Sequence, residues 1–214
     1  MLGNIPLFSS LSEPDLQALS AHAAARTFPK NAIIINEGDT SNSLYIIASG
    51  KVKIFLSDEQ GKEIVLDIQG PGEYFGEIAL LDEAPRSASV MTIDASRFLV
   101  ISKNDFSDYL GRNPDIALRL IRELTRRVRM LTASVKDLAL RDVYGRIAAA
   151  LSKLATSEGE KLVINQKLTQ QDIANMIGAS REMVSRIFKD LTAGGYVKIE
   201  DKKIIIQKEL PTGW

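Results

Sequence analysis

The stretch GEYFGEIALLDEAPRSASV, residues 72–90, brings a carboxylate, a guanidinium and a hydroxyl close together in the chain, as Glu77, Arg86 and Ser87. A forked guanidinium donor followed by a hydroxyl suits the oxygens of a phosphate group. A carboxylate near a phosphate is unfavourable unless it accepts hydrogen bonds, which a ribose 2′-OH would donate. The three side chains together therefore indicate a site for a ribose phosphate.

Backbone groups beside these side chains fit the same ligand. Gly76 leaves room for the close approach of a ligand to the backbone. The N–H groups of Ile78 and Ala79 could help to hold an anion. A surface ion pair between Glu77 and Arg86, worth about 0–1 kcal/mol, accounts for the same two residues equally well. The spacing by itself leaves both interpretations open.

A second candidate site lies in the C-terminal half, on two short segments with helical periodicity. Thr169 and Asp172 fit a capping box at the start of the first segment, and Gly178 interrupts the pattern. Ser180 is a suitable N-cap for the second segment. Two short helices joined by a short turn that contains Gly form a helix-turn-helix.

The second of these helices carries side chains that can read DNA bases. Arg181 and Arg186 can each donate two hydrogen bonds to O6 and N7 of guanine, and Glu182 can accept one from N4 of cytosine. Ser185 and Lys189 lie near them on the outer side of the helix. A merely solvated charged face is the alternative, but the turn, the caps and a following hairpin favour DNA reading. The inward-facing residues are Val184, Ile187, Phe188 and Leu191.

Strands must position the first site. Residues 30–102 contain short apolar segments punctuated by Gly, and several of them alternate polar and apolar residues. The alternation over 52–56 and 64–68, with a turn at 58–61, predicts a β-hairpin. Short strands with frequent turns predict an antiparallel sandwich, roll or barrel. The preceding stretch SEPDLQALSAHAAA, residues 12–25, predicts a packing helix.

Further elements surround the second site. Residues 142–156 predict an amphipathic helix that ends at the sequence SEGE. The segments YVKIE and KIIIQ, joined by a turn at 201–202, predict a small β-hairpin beside the helix-turn-helix, which would form a wing. A long helix that begins after Pro114 lies between the two candidate sites in the chain.

Apolar residues of the long helix repeat with alternating spacings of four and three, which is a heptad pattern. Because such a stripe is narrower than the apolar face of an ordinary surface helix, it favours pairing with a second copy of the chain over packing on the β domain. The stripe comprises Ala117, Ile121, Leu124, Val128, Leu131, Val135 and Leu138. The charged residues of the other face are Arg119, Arg122, Glu123, Arg126, Arg127 and Arg129.

Composition narrows the class of protein. The 214-residue chain contains no Cys, which excludes disulfides, thiolate metal sites and Cys nucleophiles. No apolar stretch approaches the length of about 18 residues that a membrane span needs, so we expect a cytoplasmic protein. No metal-ligand spacing, P-loop or Ser-His arrangement accompanies the acidic residues near Glu77. We therefore expect a binding protein with no catalytic residues rather than an enzyme.

Charge is unevenly distributed along the chain. Residues 1–111 contain 8 Lys and Arg against 15 Asp and Glu, whereas residues 112–214 contain 19 against 12. A basic C-terminal half fits a nucleic-acid surface. Two oppositely charged halves could equally attract each other, so charge alone leaves both explanations open.

Across almost its whole length the sequence resembles the bacterial transcription factors of the cyclic AMP receptor protein / fumarate-nitrate reduction regulator (Crp/Fnr) family. The resemblance rests on GEYFGEIALLDEAPRSASV as a cyclic-nucleotide phosphate cassette, LALRDVYGRIAAAL at a hinge, and QQDIANMIGASREMVSRIFKDL as the DNA-binding unit. It implies an α+β fold, with an N-terminal antiparallel β-roll of jelly-roll-like form over residues 1–113, a dimerisation helix over 114–138, and a C-terminal winged helix-turn-helix over 139–214.

The resemblance also implies roles for individual residues, with Arg86 and Ser87 on the cyclic phosphate and Glu77 on the ribose 2′-OH. The ligand-binding residues that it implies are Ile54, Leu66, Gly76, Glu77, Ile78, Ala79, Arg86, Ser87, Ala88, Arg127, Leu131 and Thr132. The DNA-binding residues that it implies are Thr169, Gln170, Gln171, Ser180, Arg181, Glu182, Ser185, Arg186 and Lys189. The implied partners are double-stranded DNA, a second copy of the chain as a homodimer, and RNA polymerase, with no membrane.

The implied effector is a cyclic nucleotide, with no catalytic cofactor and no metal. At the position of Leu131 the cyclic AMP receptor has a Thr that hydrogen-bonds adenine, so this chain departs from the family at a base contact. Cyclic AMP is favoured, with cyclic GMP, a cyclic dinucleotide or no ligand as alternatives. The absence of Cys excludes iron–sulfur sensing, and the single His, His22, argues against haem sensing. A nucleotide-gated module that binds another protein is the alternative to DNA binding.

Overall fold

The computed structural model describes residues 5, 8, 13–40, 42–159, 161–201 and 203–211. The chain divides into two compact units, Met1–Leu56 with Leu66–Arg129, and Ser57–Val65 with Met130–Trp214. The division into domains at residues 113 and 138 stays a prediction. Within the described ranges, no helix combines the length and the apolar character that crossing a membrane requires.

Two four-stranded sheets form the framework of the β domain. The strands of one sheet are β1 Ala24–Phe28, β3 Ser43–Ser49, β6 Tyr74–Phe75 and β8 Ser96–Ser102, in the order β1-β8-β3-β6. The strands of the other are β2 Ile33–Ile35, β4 Val52–Ser57, β5 Glu63–Gln69 and β7 Ser89–Thr92, in the order β2-β7-β4-β5. The registered pairs of strands are antiparallel. The expected jelly-roll-like β-roll and its β4–β5 hairpin are therefore present.

Aromatic residues hold the short strand β6 in place. Tyr45 and Phe75 are paired across β3 and β6, and their rings stack with centroids 5.1 Å apart. The ring of Phe98 meets both of them edge-on. Such contacts contribute about 0.5–1.5 kcal/mol each beyond the burial of apolar area. This packing fixes the point at which β6 leads into Gly76 and Glu77.

The first helix is shorter than the Ala-rich stretch predicts. Helix α1 spans Glu13–His22, and the chain then enters β1 at Ala24. Ala24 pairs with Val100 of β8, and the pairing continues to Phe28 with Ser96. Backbone hydrogen bonds to β8 thus prevail over the helical propensity of Ala, because propensity is a weak preference beside tertiary contacts. His22 is exposed at the end of α1.

Three more helices complete this part of the chain: α2 Ile78–Leu81, α3 Lys103–Arg112 and α4 Pro114–Leu140. Ile116 and Leu120 of α4 are fully buried in the core beside the first sheet. Leu124, a member of the predicted heptad stripe, packs against the same core. Most of the stripe is nevertheless exposed in the single chain, since Ile121 and Val128 are 57% and 61% exposed.

The second unit has helices α5 Val143–Leu154, α6 Gln170–Ile177 and α7 Arg181–Ala193. Its strands are β9 Thr156–Glu158, β10 Lys161–Ile164, β11 Val197–Glu200 and β12 Lys203–Ile206, in the order β11-β12-β10-β9. The prediction of a helix through residue 156 was wrong at its end. Thr156 pairs with Val163, and Ser157 and Glu158 of the SEGE stretch pair with Leu162 and Lys161 of β10, so this stretch begins a β-hairpin that the Gly signal did not distinguish from a helix stop.

The helix-turn-helix has the expected local structure. Thr169 and Asp172 form a reciprocal capping box at the start of α6. Gly178 ends α6 in the left-handed conformation, with φ of 63°, which Gly adopts without strain. Ser180 accepts a hydrogen bond from Met183 N at the start of α7. The predicted inner residues of α7 are all buried: Val184, Ile187, Phe188 and Leu191.

Candidate functional site

A cavity of about 60 Å³ lies in the β domain where the end of β6, helix α2 and strand β7 meet the side chain of Arg127. Nine of the residues that the sequence assigns to a ligand line this cavity: Ile54, Gly76, Glu77, Ile78, Ala79, Arg86, Ser87, Ala88 and Arg127. Strand, loop and helix residues that are far apart in the chain are therefore brought together around one space.

Gly76 allows Arg86 to approach the backbone. The φ of Gly76 is +87°, a backbone conformation that residues with a side chain rarely adopt. A Cβ atom at this position would lie 2.4 Å from Nη1 of Arg86, which is too close for any contact. From the sequence, Gly76 is expected to leave room for a ligand, whereas the space beside it holds the Arg86 guanidinium.

Hydrogen bonds from both its backbone and its side chain hold Arg86 in place. Its side chain donates from Nη1 to Gly76 O at 2.6 Å and from Nη2 to Ser43 O at 2.7 Å. Its backbone N–H donates to Asp39 O, and its carbonyl accepts from Gly38 N. The residue is only 3% exposed, and burial lowers the pKa of its guanidinium. A cation that is withdrawn from water in this way is stabilised by an anion beside it.

Glu77 is 1% exposed and forms an ion pair with Arg127 of α4, with Nη1 donating to Oε1 at 2.7 Å. Nη2 of Arg127 also donates to Tyr74 O at 3.0 Å. Burial raises the pKa of the Glu77 carboxyl, and the nearby charge of Arg127 opposes that rise. Because Glu77 and Arg86 are both buried, the interpretation of the two as a surface ion pair is wrong.

The cavity also has lining residues that sequence reasoning missed, Ile35, Phe75 and Val90. They are apolar strand residues, and their type and spacing do not distinguish a cavity wall from an ordinary core. Leu66, assigned to the ligand, is half-buried in β5 and is not among the lining residues. Leu131 and Thr132 lie on exposed positions of α4 in the second unit.

The second candidate site is the exposed face of helix α7. The candidate base-reading side chains of α7 all point to solvent: Arg181, Glu182, Ser185, Arg186 and Lys189. The hydroxyls of Thr169 and Ser180 are used as helix caps, at 3.1 Å from Asp172 N and 3.2 Å from Met183 N. Gln171 is exposed and donates to Asn175 Oδ1 at 2.7 Å, while Gln170 is half-buried at the start of α6.

Two family models match this chain, and all lining residues of the smaller cavity except Arg127 fall within the first matched range. Residues 25–113 match the model of the cyclic nucleotide-binding domain, and residues 145–209 match that of the Crp-like helix-turn-helix domain. This chain therefore combines these two domain classes. None of the described residues forms a cluster of His, Cys, Asp and Glu that could hold a metal ion.

Similar proteins span almost the whole chain. The CRP-like cAMP-activated global transcriptional regulator of Mycobacterium tuberculosis is 34% identical over 210 residues, which cover 96% of this chain and 94% of the relative. The cAMP-activated global transcriptional regulator CRP of Salmonella typhimurium is 32% identical, with coverage of 91% and 95%. The chain therefore belongs to the Crp/Fnr family of transcription regulators.

Solved structures show the same fold. The c-di-GMP responsive global regulator CLP of Xanthomonas campestris matches with a TM-score of 0.82 and 25% identity, covering 92% of this chain and 100% of that one. The Thermus thermophilus catabolite activator protein matches with a TM-score of 0.57 and 32% identity, covering 94% and 93%.

Proposed function

We propose that this protein is a homodimeric transcription regulator whose affinity for DNA is set by a cyclic nucleotide, with cyclic AMP as the effector. The observation that carries the proposal is the cavity itself, because it places the buried Arg86 guanidinium and the buried Glu77 carboxylate beside one space. Arg86 with Ser87 supplies donors for a cyclic phosphate, and Glu77 supplies an acceptor for the ribose 2′-OH. No chemical step is needed, so the proposed protein is not an enzyme.

The cavity must open to admit a nucleotide. At about 60 Å³ it is far smaller than the 300–1,000 Å³ usual for ligand pockets. The side chain of Arg127 closes one side through its ion pair with Glu77. A ribose hydroxyl that donates to Glu77 would compete for the same carboxylate and would move Arg127. Since Arg127 belongs to α4, occupancy of the cavity would act directly on the long helix.

Pairing of α4 with a second copy explains its exposed stripe. Val135 and Leu138, near the end of the stripe, are 63% and 38% exposed, and Leu131 is 44% exposed. A continuous row of exposed apolar side chains on a helix is a typical interaction surface. We propose the homodimer along this row, with residues 1–113, 114–138 and 139–214 as the β-roll, dimerisation helix and DNA-binding domain.

The exposed face of α7 is the proposed DNA-reading surface. Arg181 and Arg186 would read guanines in the major groove, with Glu182 on a cytosine. A dimer would place two such helices about 34 Å apart to match half-sites one turn of DNA apart, so the operator would be palindromic. The ligand can favour this spacing only if it binds the DNA-competent arrangement more tightly. RNA polymerase is the further proposed partner of a regulator bound at such a site.

The remaining proposed contacts follow the family pattern. Leu66, Leu131 and Thr132 would lie near the base, and Thr169, Gln170, Gln171, Ser180, Ser185 and Lys189 near the DNA. Both relatives described above are named as cAMP-activated, which supports cyclic AMP. A cyclic dinucleotide is the second candidate, because Leu131 replaces a polar base contact and the Xanthomonas neighbour is described as c-di-GMP responsive.

Fluorescence anisotropy with operator DNA tests the proposal. The DNA is selected by this protein from a random double-stranded library, and cyclic AMP, cyclic GMP and cyclic di-GMP are each titrated. We expect cyclic AMP to raise the affinity for DNA at least about tenfold, which corresponds to about 1.4 kcal/mol. Chromatography of the nucleotide afterwards should recover it unchanged, whereas hydrolysis would indicate an enzyme. Unchanged DNA affinity with all three nucleotides would reject the switch.

A further inference from the structure

A second and larger cavity, of about 450 Å³, lies against α4 in the first unit, and we call it the arginine cleft. Its lining includes four arginines of α4, which face the segment around Tyr74: Arg119, Arg122, Arg126 and Arg127. Apart from Arg127, none of the arginines lines the smaller cavity. The proposed function above makes no use of this space.

Three of the arginines form a row along the helix. Arg119, Arg122 and Arg126 are exposed and follow one another at helical spacing, so they lie on one face. At a rise of about 1.5 Å per residue, the row extends for about 10 Å along the helix axis. The exposed apolar stripe through Ile121 and Val128 lies on a different face. Pairing of two copies along that stripe would therefore leave the cleft open.

Positive charge exceeds negative charge in the cleft. Glu123 accepts from Arg126 at 2.6 and 3.0 Å and from Arg127 at 3.4 Å. Glu73, the other acidic lining residue, accepts from Gly70 N through Oε2 at 2.8 Å. Two lining carboxylates thus face four lining guanidinium groups, while Glu77 and Asp67 act on Arg127 and Arg126 from outside the lining. A lining with this balance attracts anions.

Tyr74 lines the cleft, and its side chain is buried in the adjoining hydrophobic core. Tyr74 is 5% exposed, and its buried hydroxyl has no hydrogen-bond partner among the described residues. Burial raises the pKa of this hydroxyl, and the charges that act on it belong to Arg127, Glu77, Glu123 and Arg126. The guanidinium carbon of Arg127 lies 5.0 Å from the centroid of the Tyr74 ring, so this ring borders the charged residues of the cleft.

We propose that the arginine cleft binds a small molecule with two or more linked phosphate groups, of the nucleoside triphosphate class, at a site separate from the cyclic-nucleotide cavity. Guanidinium groups bind phosphate oxygens in pairs, and a row of about 10 Å has room for more than one phosphate. The volume of the cleft falls within the 300–1,000 Å³ of ordinary small-molecule sites. The cleft is partly open to solvent, and its row of about 10 Å has room for a small molecule but offers a nucleic acid or an acidic protein only a short charged surface.

Isothermal titration of the full chain tests this site. The protein is first saturated with cyclic AMP, so that the smaller cavity is filled, and ATP, inorganic tripolyphosphate and inorganic phosphate are then titrated at about 0.15 M salt. We expect ATP and tripolyphosphate to bind with similar stoichiometry, and inorganic phosphate to bind at least about tenfold more weakly. Absence of binding by both polyphosphates at millimolar concentration would overturn the proposal.

The chain offers a matched pair of variants. Arg122 lines the cleft, whereas Arg129 lies one heptad further along α4, is exposed, and is not a lining residue. Arg122→Ala should weaken ATP binding about tenfold through loss of charge-assisted hydrogen bonds, and Arg129→Ala should change it less than about twofold. Equal losses in both variants would mean diffuse attraction to a basic helix and would overturn the site.

A failure of ATP to bind the arginine cleft can be distinguished from a failure of cyclic AMP to bind the smaller cavity. Cyclic AMP is titrated into both variants in its own experiment, where Arg122→Ala should leave its affinity unchanged. If cyclic AMP fails to bind the unmodified protein, the proposed effector is rejected, and ATP is titrated without it. Binding of DNA or an acidic peptide that is lost in Arg122→Ala, with no binding of ATP, would also overturn the proposal.

Discussion

The smaller cavity, which is the proposed cyclic-nucleotide site, and the exposed face of α7 are built in opposite ways. The cavity takes its charged groups from distant parts of the chain and buries them, as with Glu77 at 1% and Arg86 at 3% exposure. The face of α7 takes its side chains from one helix and leaves them in water. Residues of the cavity therefore serve the fold and the site together, whereas those of α7 can change with little effect on stability.

The largest effect that we expect comes from Gly76→Ala. Its Cβ would meet the Arg86 guanidinium at 2.4 Å in a backbone with φ of +87°. The free energy of unfolding should fall by about 3 kcal/mol, from about 1 kcal/mol of backbone strain and about 2 kcal/mol of overlap. Binding of cyclic AMP should be lost because Arg86 is displaced. Urea denaturation and calorimetric titration measure the two effects.

Gly61→Ala is the matched control for this variant. Gly61 has a similar φ of +77°, but nothing lies within 4 Å of the point that an added Cβ atom would occupy. It should therefore show only the backbone strain of about 1 kcal/mol. Equal losses of stability in the two variants would mean that Arg86 adjusts to the added methyl group, and the cavity would be less rigid than its contacts imply.

Arg181→Ala should have its effect on DNA alone. Loss of a base-reading guanidinium should weaken operator binding by about 1–3 kcal/mol and relax the choice of sequence at one position. The free energy of unfolding should stay within about 0.5 kcal/mol, because the side chain is exposed. Anisotropy and urea denaturation test the two parts. Lys153→Ala, which removes an exposed cation from α5, should leave DNA binding unchanged, and an equal loss there would indicate non-specific attraction.

The smallest effect that we expect concerns the start of helix α6 in the second unit. Thr169→Ala removes one half of the capping box at the start of α6 and should lower the free energy of unfolding by about 1 kcal/mol. Thr169→Ser keeps the hydroxyl and should stay close to the unmodified protein. Thermal and urea denaturation of both variants provide the measurement. A loss in Thr169→Ser as large as that in Thr169→Ala would show that the methyl group, rather than the cap, matters.

Local signals explain why the helix-turn-helix was predicted almost residue by residue. The cap at Thr169, the turn at Gly178 and the cap at Ser180 each act within a few residues of the chain. The same reasoning failed at Thr156, where a Gly-containing stretch ends a helix two residues earlier than expected and then forms a hairpin. It failed also at Ala24, where pairing with β8 outweighs helical propensity. The error at Ala24 occurs where the partner strand is distant in sequence, whereas β9 pairs with the next strand, β10, across a short turn that the Gly signal did not distinguish from a helix stop.

The sequence by itself determined the types of chemical group and the local elements: the cassette with Glu77 and Arg86, the caps of α6 and α7, and the heptad stripe of α4. Only the tertiary structure decided that Arg127, fifty positions from Glu77, is the partner of that carboxylate, and that Gly76 makes room for Arg86. The physical reason is the distance along the chain over which each kind of interaction acts. Caps, turns and periodicity depend on neighbours in the chain, whereas burial and ion pairing depend on which distant segments the fold brings together.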